Sequence, residues 1–303
     1  MSLHTIEVSA ARAERTPLNR VFAAYALISG IALLFPHRPA NWLLLLLAHG
    51  LAFGLLAGVG PFRRLVDTAH ERWPRLAEFL ADWLPLLLIP ALYAELAILN
   101  VAVWDGHYFD EWIIGWEQAL FGWQPSQELA DRWPWLWVSE PLHAAYLSYY
   151  LIIYAPPIAL YAMRRRSAQR AATFAVMLTF FVHYLFFIYF PVQGPRYLFP
   201  APDGAVAGGP FYNLAHALLE AGSSRGAAFP SSHVGVSVAQ TVAMIALLPR
   251  WAPALAVLTI GLALGAVYGG FHYATDALVG ALFGILIALL APTIRRRLSG
   301  HAA

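Results

Sequence analysis

Eight mostly apolar stretches recur along the chain, each near the roughly 20 residues that a helix needs to cross a hydrocarbon core of about 30 Å. They fall at about 20–36, 41–60, 84–104, 141–163, 171–190, 232–249, 251–268 and 272–292. Only 12% of the 303 residues are charged, against roughly 25% in an ordinary water-soluble domain. Where water is absent, a spanning segment must satisfy its backbone N–H and C=O groups internally, which a helix does and an open sheet does not. The expected fold is therefore all-α: a polytopic transmembrane helical bundle of about eight spans in a lipid bilayer.

All 19 basic residues are arginine, and their placement predicts an orientation, because cytoplasmic flanks collect positive charge. With the N-terminus inside, 15 arginines fall on the inner side and four (Arg38, Arg132, Arg196 and Arg225) on the outer. Both termini are then expected in the cytoplasm of a multi-pass protein of the cell membrane. Residues 1–20 are polar, carry Arg12, Arg15 and Arg20, and are followed by no small-residue cleavage site, so the first apolar run is expected to be retained.

In this orientation residues 61–83 form a partly amphipathic inner connection, and 104–140 an outer segment. The outer segment holds Trp104, Trp112, Trp116, Trp123, Trp133, Trp135 and Trp137 of the chain's 11 tryptophans. Such rings favour the headgroup layer, where the indole N–H stays wet, so short helices lying on the outer surface are expected. The chain divides into residues 1–140, with the Trp-rich interfacial segment, and a catalytic transmembrane core at 141–303. A second outer segment, about 191–231, is rich in Gly and Pro and too long for a simple turn. No basic stripe for nucleic acid is present. The lack of cysteine excludes disulfides and thiolate chemistry, and the lack of lysine excludes any step that needs an ammonium group.

Three motifs fall at outer ends of spans: Gly194-Pro195-Arg196-Tyr197; Arg225 through Phe229-Pro230-Ser231-Ser232-His233; and Gly269-Gly270-Phe271-His272-Tyr273-Ala274-Thr275-Asp276. Pro-Ser-Ser-His at a helix start offers free N–H groups, two hydroxyls (Ser231 and Ser232) and a positive dipole end, which together suit an anion. Arg196 and Arg225 can grip phosphate oxygens in bidentate fashion. His272 and Asp276, four apart, share a helix face, so the carboxylate can orient the imidazole as a nucleophile. His233 is then free to protonate the leaving alkoxide and later to activate water or an alcohol against a phospho-histidine. This chemistry requires no metal or cofactor. The substrate it fits is a lipid-linked phosphate or phospholipid.

Pro230-Ser231-Ser232-His233 and Val267-Tyr268-Gly269-Gly270-Phe271-His272-Tyr273-Ala274-Thr275-Asp276 resemble the second and third signatures of the type 2 phosphatidic acid phosphatase superfamily, over roughly the C-terminal half. The resemblance implies His272 as nucleophile, Asp276 as its orienting partner, His233 as acid and base, and Ser231, Ser232 and Arg196 as phosphate contacts. Two departures stand out. The family's first signature begins with a lysine, which this chain lacks, and its third has Ser-Arg where Gly265 and Ala266 stand here. Together with the His-Tyr-x-x-Asp ending, they resemble the branch of inositol phosphorylceramide synthases, which move a phospho-headgroup between lipids. Arg225 is the expected replacement for one missing cation.

Plainer readings apply to other residues. Arg196 and Arg225 could contact lipid phosphates, and Glu95 and His183, inside spans, could make helix-to-helix hydrogen bonds. His107, His143 and His216 follow no pattern. Two rival functions remain at this stage: a phosphate-recognising lipid transporter or flippase without hydrolysis, and a zinc site on His233, His272 and Asp276.

Overall fold

The computed structural model describes residues 3–299, with side chains from residue 16 onward. The described residues are mostly helical and contain no strand, only an isolated bridge between Val192 and Ala227. The first half comprises α1 (Leu3–Ile31), α2 (Trp42–Ala57), α3 (Pro61–Arg72), α4 (Pro74–Leu87), α5 (Ile89–Trp104), α6 (Asp110–Phe121) and α7 (Pro125–Arg132). Then follow α8 (Leu136–Leu147), α9 (Tyr149–Ala162), α10 (Arg166–Tyr189), the single turn α11 (Pro195–Leu198) and α12 (Pro210–Gly222). The last three are α13 (Ser232–Leu247), α14 (Ala252–Tyr268) and α15 (Ala274–Leu298).

Each of the eight apolar runs is helical, as expected of a membrane helical bundle, but several are broken rather than straight. Thr16–Leu34, α10 and α15 are individually long and apolar enough to cross a membrane. Three further candidates are bent pairs: α2 with α3 (63°), α4 with α5 (46°) and α8 with α9 (41°). α13 and α14 are shorter apolar helices. The breaks have local causes. Gly58 and Gly60 take left-handed φ values of 61° and 55° before Pro61, and Pro90 removes a donor where α5 begins. Ser148 returns its hydroxyl to the Ala145 carbonyl at 2.6 Å between α8 and α9, a bond that bends helices.

α10 is the central post, with 72% of its most apolar window buried against 33% for α15. It packs on α1, α5, α9, α13 and α15, and a buried Arg170–Asp82 pair at 2.8 Å ties its first turns to α4. Glu95 of α5 faces His49 of α2 across 3.8 Å, an interhelical approach longer than the hydrogen bond expected. His183 differs from expectation: its Nδ1 is 2.7 Å from the Thr179 carbonyl of its own helix. The i−4 carbonyl lies within an imidazole's reach, so no neighbouring helix is needed to satisfy that nitrogen. The segment 191–231 contains α12, whose first N–H groups (Phe211 and Tyr212) donate to the Glu140 carboxylate of α8 at 3.0 Å each. That cap supplies the N-terminal partners that its own sequence, Gly209-Pro210, lacks.

α13 and α15 make the most extensive contact in the bundle, and glycine makes it possible. A Cβ at Gly280 would strike the Ser231 carbonyl, and one at Gly284 would strike that of Gly235. Close backbone approach through small residues replaces the hydrophobic drive that lipid does not supply between helices. Gly284→Val should therefore cost about 1–3 kcal/mol and lower the thermal unfolding temperature in detergent. Gly50→Ala, where a Cβ meets nothing within 4 Å, should leave that temperature unchanged or slightly raised.

Candidate active site

The site grows from two adjacent helix starts. Ser231 caps α13, its hydroxyl accepting from the Val234 N–H at 3.4 Å. Asp276 accepts from the Tyr273 N–H at 2.9 Å and closes the first turn of α15. The Ser231 N–H also donates to the Asp276 carbonyl at 3.0 Å, so one backbone bond joins the second motif to the third.

His233, one residue into α13, thereby meets His272, two residues before α15. Nε2 of His272 lies 3.4 Å from Nδ1 of His233, with ring centroids 5.5 Å apart. On the opposite side of its ring, Nδ1 of His272 faces Oδ2 of Asp276 at 3.4 Å. Asp276 and His272 are buried, whereas His233 is partly exposed. The donors are strung along the His272 ring and do not converge on one point as zinc ligands would. Among the described residues no group of three or more His, Cys, Asp and Glu is arranged to hold a metal ion.

The first motif is pinned to the second by backbone bonds: Val192 N–H to the Gly226 carbonyl at 3.2 Å and Ala228 N–H to the Val192 carbonyl at 2.9 Å. Gly194, at φ +94°, passes so close to Ala228 that a Cβ there would meet the alanine's own at 3.0 Å. Two carboxylates of α6 complete the frame. Asp110 accepts from the N–H groups of Gln193 and Gly194 at 2.9 Å each and from the Tyr273 hydroxyl at 3.1 Å. Glu117 accepts from the Ala274 N–H at 2.6 Å and the Ser126 hydroxyl at 3.1 Å. Between them the fully buried Ile113 shares one apolar cluster with Val192, Ala228, Phe229 and Tyr273, which come from all three segments. Asp110 and Glu117 carry no motif. Their one sequence signal is the seven-residue spacing that puts two acids on a single helix face inside an aromatic segment.

The two arginines come together, but beside the histidines rather than on them. Arg196 donates to the Ser223 hydroxyl at 2.9 Å, and the guanidinium groups of Arg196 and Arg225 lie 5.1 and 5.0 Å from the centroid of the Tyr197 ring. Among the described residues neither hydrogen-bonds Ser231, Ser232, His233 or His272. Ser231 and Ser232 are both buried at the start of α13. Ala266, at a place where the family pattern has arginine, is buried among Tyr146, Ala215 and Phe271, an apolar wall. His143 and His216, patternless in sequence, lie with their ring centroids 5.7 and 5.0 Å from that of Phe271. Burial, with His143 and then Arg196 adding to it, pushes His216 down to about 4, so it is neutral near pH 7.

A family model described as the PAP2 superfamily matches residues 111–290, well over half of the chain. The chain belongs to the PAP2 superfamily. Comparison with curated proteins and with solved structures gave no significant match. The PAP2 match begins on α6, next to Asp110 and ahead of Glu117, so most of the helix bracing the motifs lies inside the family's own span.

Burial pushes the Glu117 carboxyl up from its ordinary 4.5 to about 7, with the Asp276 charge adding to it and the two hydrogen bonds opposing. A raised carboxyl value means that the folded state holds the proton more tightly. The stability linked to it is fully present below about 4.5 and gone above about 7. Unfolding temperatures of wild type and Glu117→Gln, measured from pH 4 to 8, should therefore diverge: the wild type loses stability across that window, and the glutamine variant lacks that component of the loss.

Proposed function

We propose that this PAP2 protein cleaves or transfers a lipid-linked phosphoester through a phospho-histidine on His272, without a metal. Family membership supports phosphatase-type activity on lipid phosphoesters in general. The observation that carries the specific reading is the order Asp276, His272, His233, with each neighbouring pair 3.4 Å apart. The carboxylate holds a proton on Nδ1 of His272, which leaves the Nε2 lone pair to attack phosphorus. The P–N bond forms as the P–O bond to the leaving group breaks, and His233 gives its proton to the departing oxygen. In the second half the oxygen of water or of a lipid hydroxyl attacks phosphorus, its proton passes to His233, and the P–N bond breaks.

Ser231, Ser232 and the N–H groups at the start of α13 receive the phosphoryl oxygens, with Arg196 and Arg225 supplying cations from the adjoining loops. The arginine distribution favours an orientation with both termini in the cytoplasm and this site at the outer face of the cell membrane. The acceptor decides between a phosphatase and an inositolphosphotransferase-like headgroup transferase. The departures at Gly265 and Ala266 and the missing lysine favour the second.

Purified protein given a panel of phosphatidate, lipid pyrophosphates and phosphoinositides labelled at phosphorus should yield free phosphate for a phosphatase or a new labelled lipid for a transferase. His272→Ala should fall to the background of a protein-free control. His233→Ala should lose about 10²–10⁴-fold in turnover. Lipid movement across vesicles with no bond cleavage in wild type would replace this reading with a transporter. Arg225→Ala should raise KM about tenfold or more while the thermal unfolding temperature stays put, because the side chain is exposed. Near-normal kinetics in that variant would remove Arg225 from the phosphate site.

A further inference from the structure

The end of the bundle away from the histidines carries a second feature that the proposed chemistry does not use. Between the far ends of α10, α13 and α15 lies a cavity of about 820 Å³, walled by small and apolar side chains such as Phe174, Ala175, Ala243, Ala246 and Ala288 and bordered by Arg295 and Arg296. It shares Ala171, Leu247 and Arg295 with a more open cavity of about 520 Å³ edged by Arg164, Arg165 and Arg166. Five arginines thus border one continuous opening, and no acidic residue lines either part. Arg166 is partly neutralised by Glu78 at 3.1 Å. Arg164 and Arg296 are exposed, and neither is tied to another helix.

We propose that this groove binds one anionic phospholipid, with an acyl chain between α10, α13 and α15 and its phosphate among the arginines. Charge complementarity selects the occupant: an uncharged lipid would fill the apolar channel equally well but offer no anion to the exposed Arg164 and Arg296. Arginines that only set orientation need to lie near the membrane surface, whereas these border a cavity whose walls are apolar. Depth agrees as well. On α15 the lining runs from Ala288 to Ser299, about 16 Å of helix. That is about half the hydrocarbon thickness, the share of a single leaflet. Basic clefts between helices at a membrane face are a recurrent way of holding anionic headgroups.

The full-length protein in nanodiscs of phosphatidylcholine, with and without phosphatidylglycerol, tests this by native mass spectrometry of released lipid and by thermal unfolding. Wild type is expected to retain one phosphatidylglycerol through delipidation and to unfold at a higher temperature in its presence. Two variants address the two halves of the site. Arg164→Gln combined with Arg296→Gln should weaken retention about tenfold or more. Ala246→Trp, which fills the channel at an exposed position, should do the same while leaving every arginine in place. Equal retention of phosphatidylcholine and phosphatidylglycerol by wild type would overturn the proposal, as would unchanged retention in either variant. Inorganic phosphate alone, at millimolar concentration, should not reproduce the stabilisation. If it does, the site takes a free anion and the lipid assignment fails.

Discussion

The contact between the starts of α13 and α15 is the constraint on which the rest of the molecule depends. Each helix start presents unpaired N–H groups and the equivalent of roughly half a positive charge, so bringing two together is electrostatically unfavourable unless something negative lies nearby. On the α15 side Asp276 accepts from the Tyr273 N–H, and Glu117, raised to about 7 and so only partly charged near neutral pH, accepts from the Ala274 N–H. On the α13 side no acidic residue occupies the first turn. The positive end of α13 is thus not offset within its own first turn, which in the proposed reaction leaves it to a phosphoryl group beside Ser231, Ser232 and His233.

Helix α6 makes the arrangement rigid. Loops that carry functional groups at a membrane surface lose configurational entropy when ordered, and a single motif cannot hold three of them. Asp110 takes two N–H groups from the first motif and a hydroxyl from the third, so it fixes their relative position by itself. Within that frame Oδ2 of Asp276 faces both the Tyr273 N–H, at 2.9 Å, and Nδ1 of His272, at 3.4 Å.

The helical class and the facing of His272 and Asp276 could be read from the sequence because both depend on local spacing, whereas the meeting of His233 with His272, 39 positions on, was expected only from the two motifs lying at the same ends of their spans. An apolar run of sufficient length has one way to satisfy its backbone in lipid, and His272 and Asp276 sit four apart. The broken helices were less visible, since Ser148 bends the chain through a side-chain bond that apolarity does not register. The brace was hidden altogether. Asp110 and Glu117 act on residues 83 and 157 positions away along the chain, and no pattern within α6 announces a partner at that distance. The intrahelical bond of His183 escaped for the opposite reason: the sequence shows a polar group in an apolar span but not that its own carbonyl at Thr179 already satisfies one nitrogen.

The departures from the family pattern change how charge must be handled. A cation on α14 would be fixed by a rigid helix beneath the phosphoryl group, yet Ala266 there is part of an apolar wall with Tyr146 and Phe271. The remaining candidates, Arg196 on the single turn α11 and Arg225 on the loop before α13, flank Tyr197. Guanidinium groups parked against an aromatic face keep part of their favourable surroundings while staying able to turn, and only Ser223 holds one of them by a hydrogen bond. In the proposed reaction that freedom has a use. The phosphorus must first accept a histidine nitrogen and then an oxygen arriving with an acceptor, so the equatorial oxygens shift between steps. Cations on a loop and a single turn can follow them where one on a long packed helix could not.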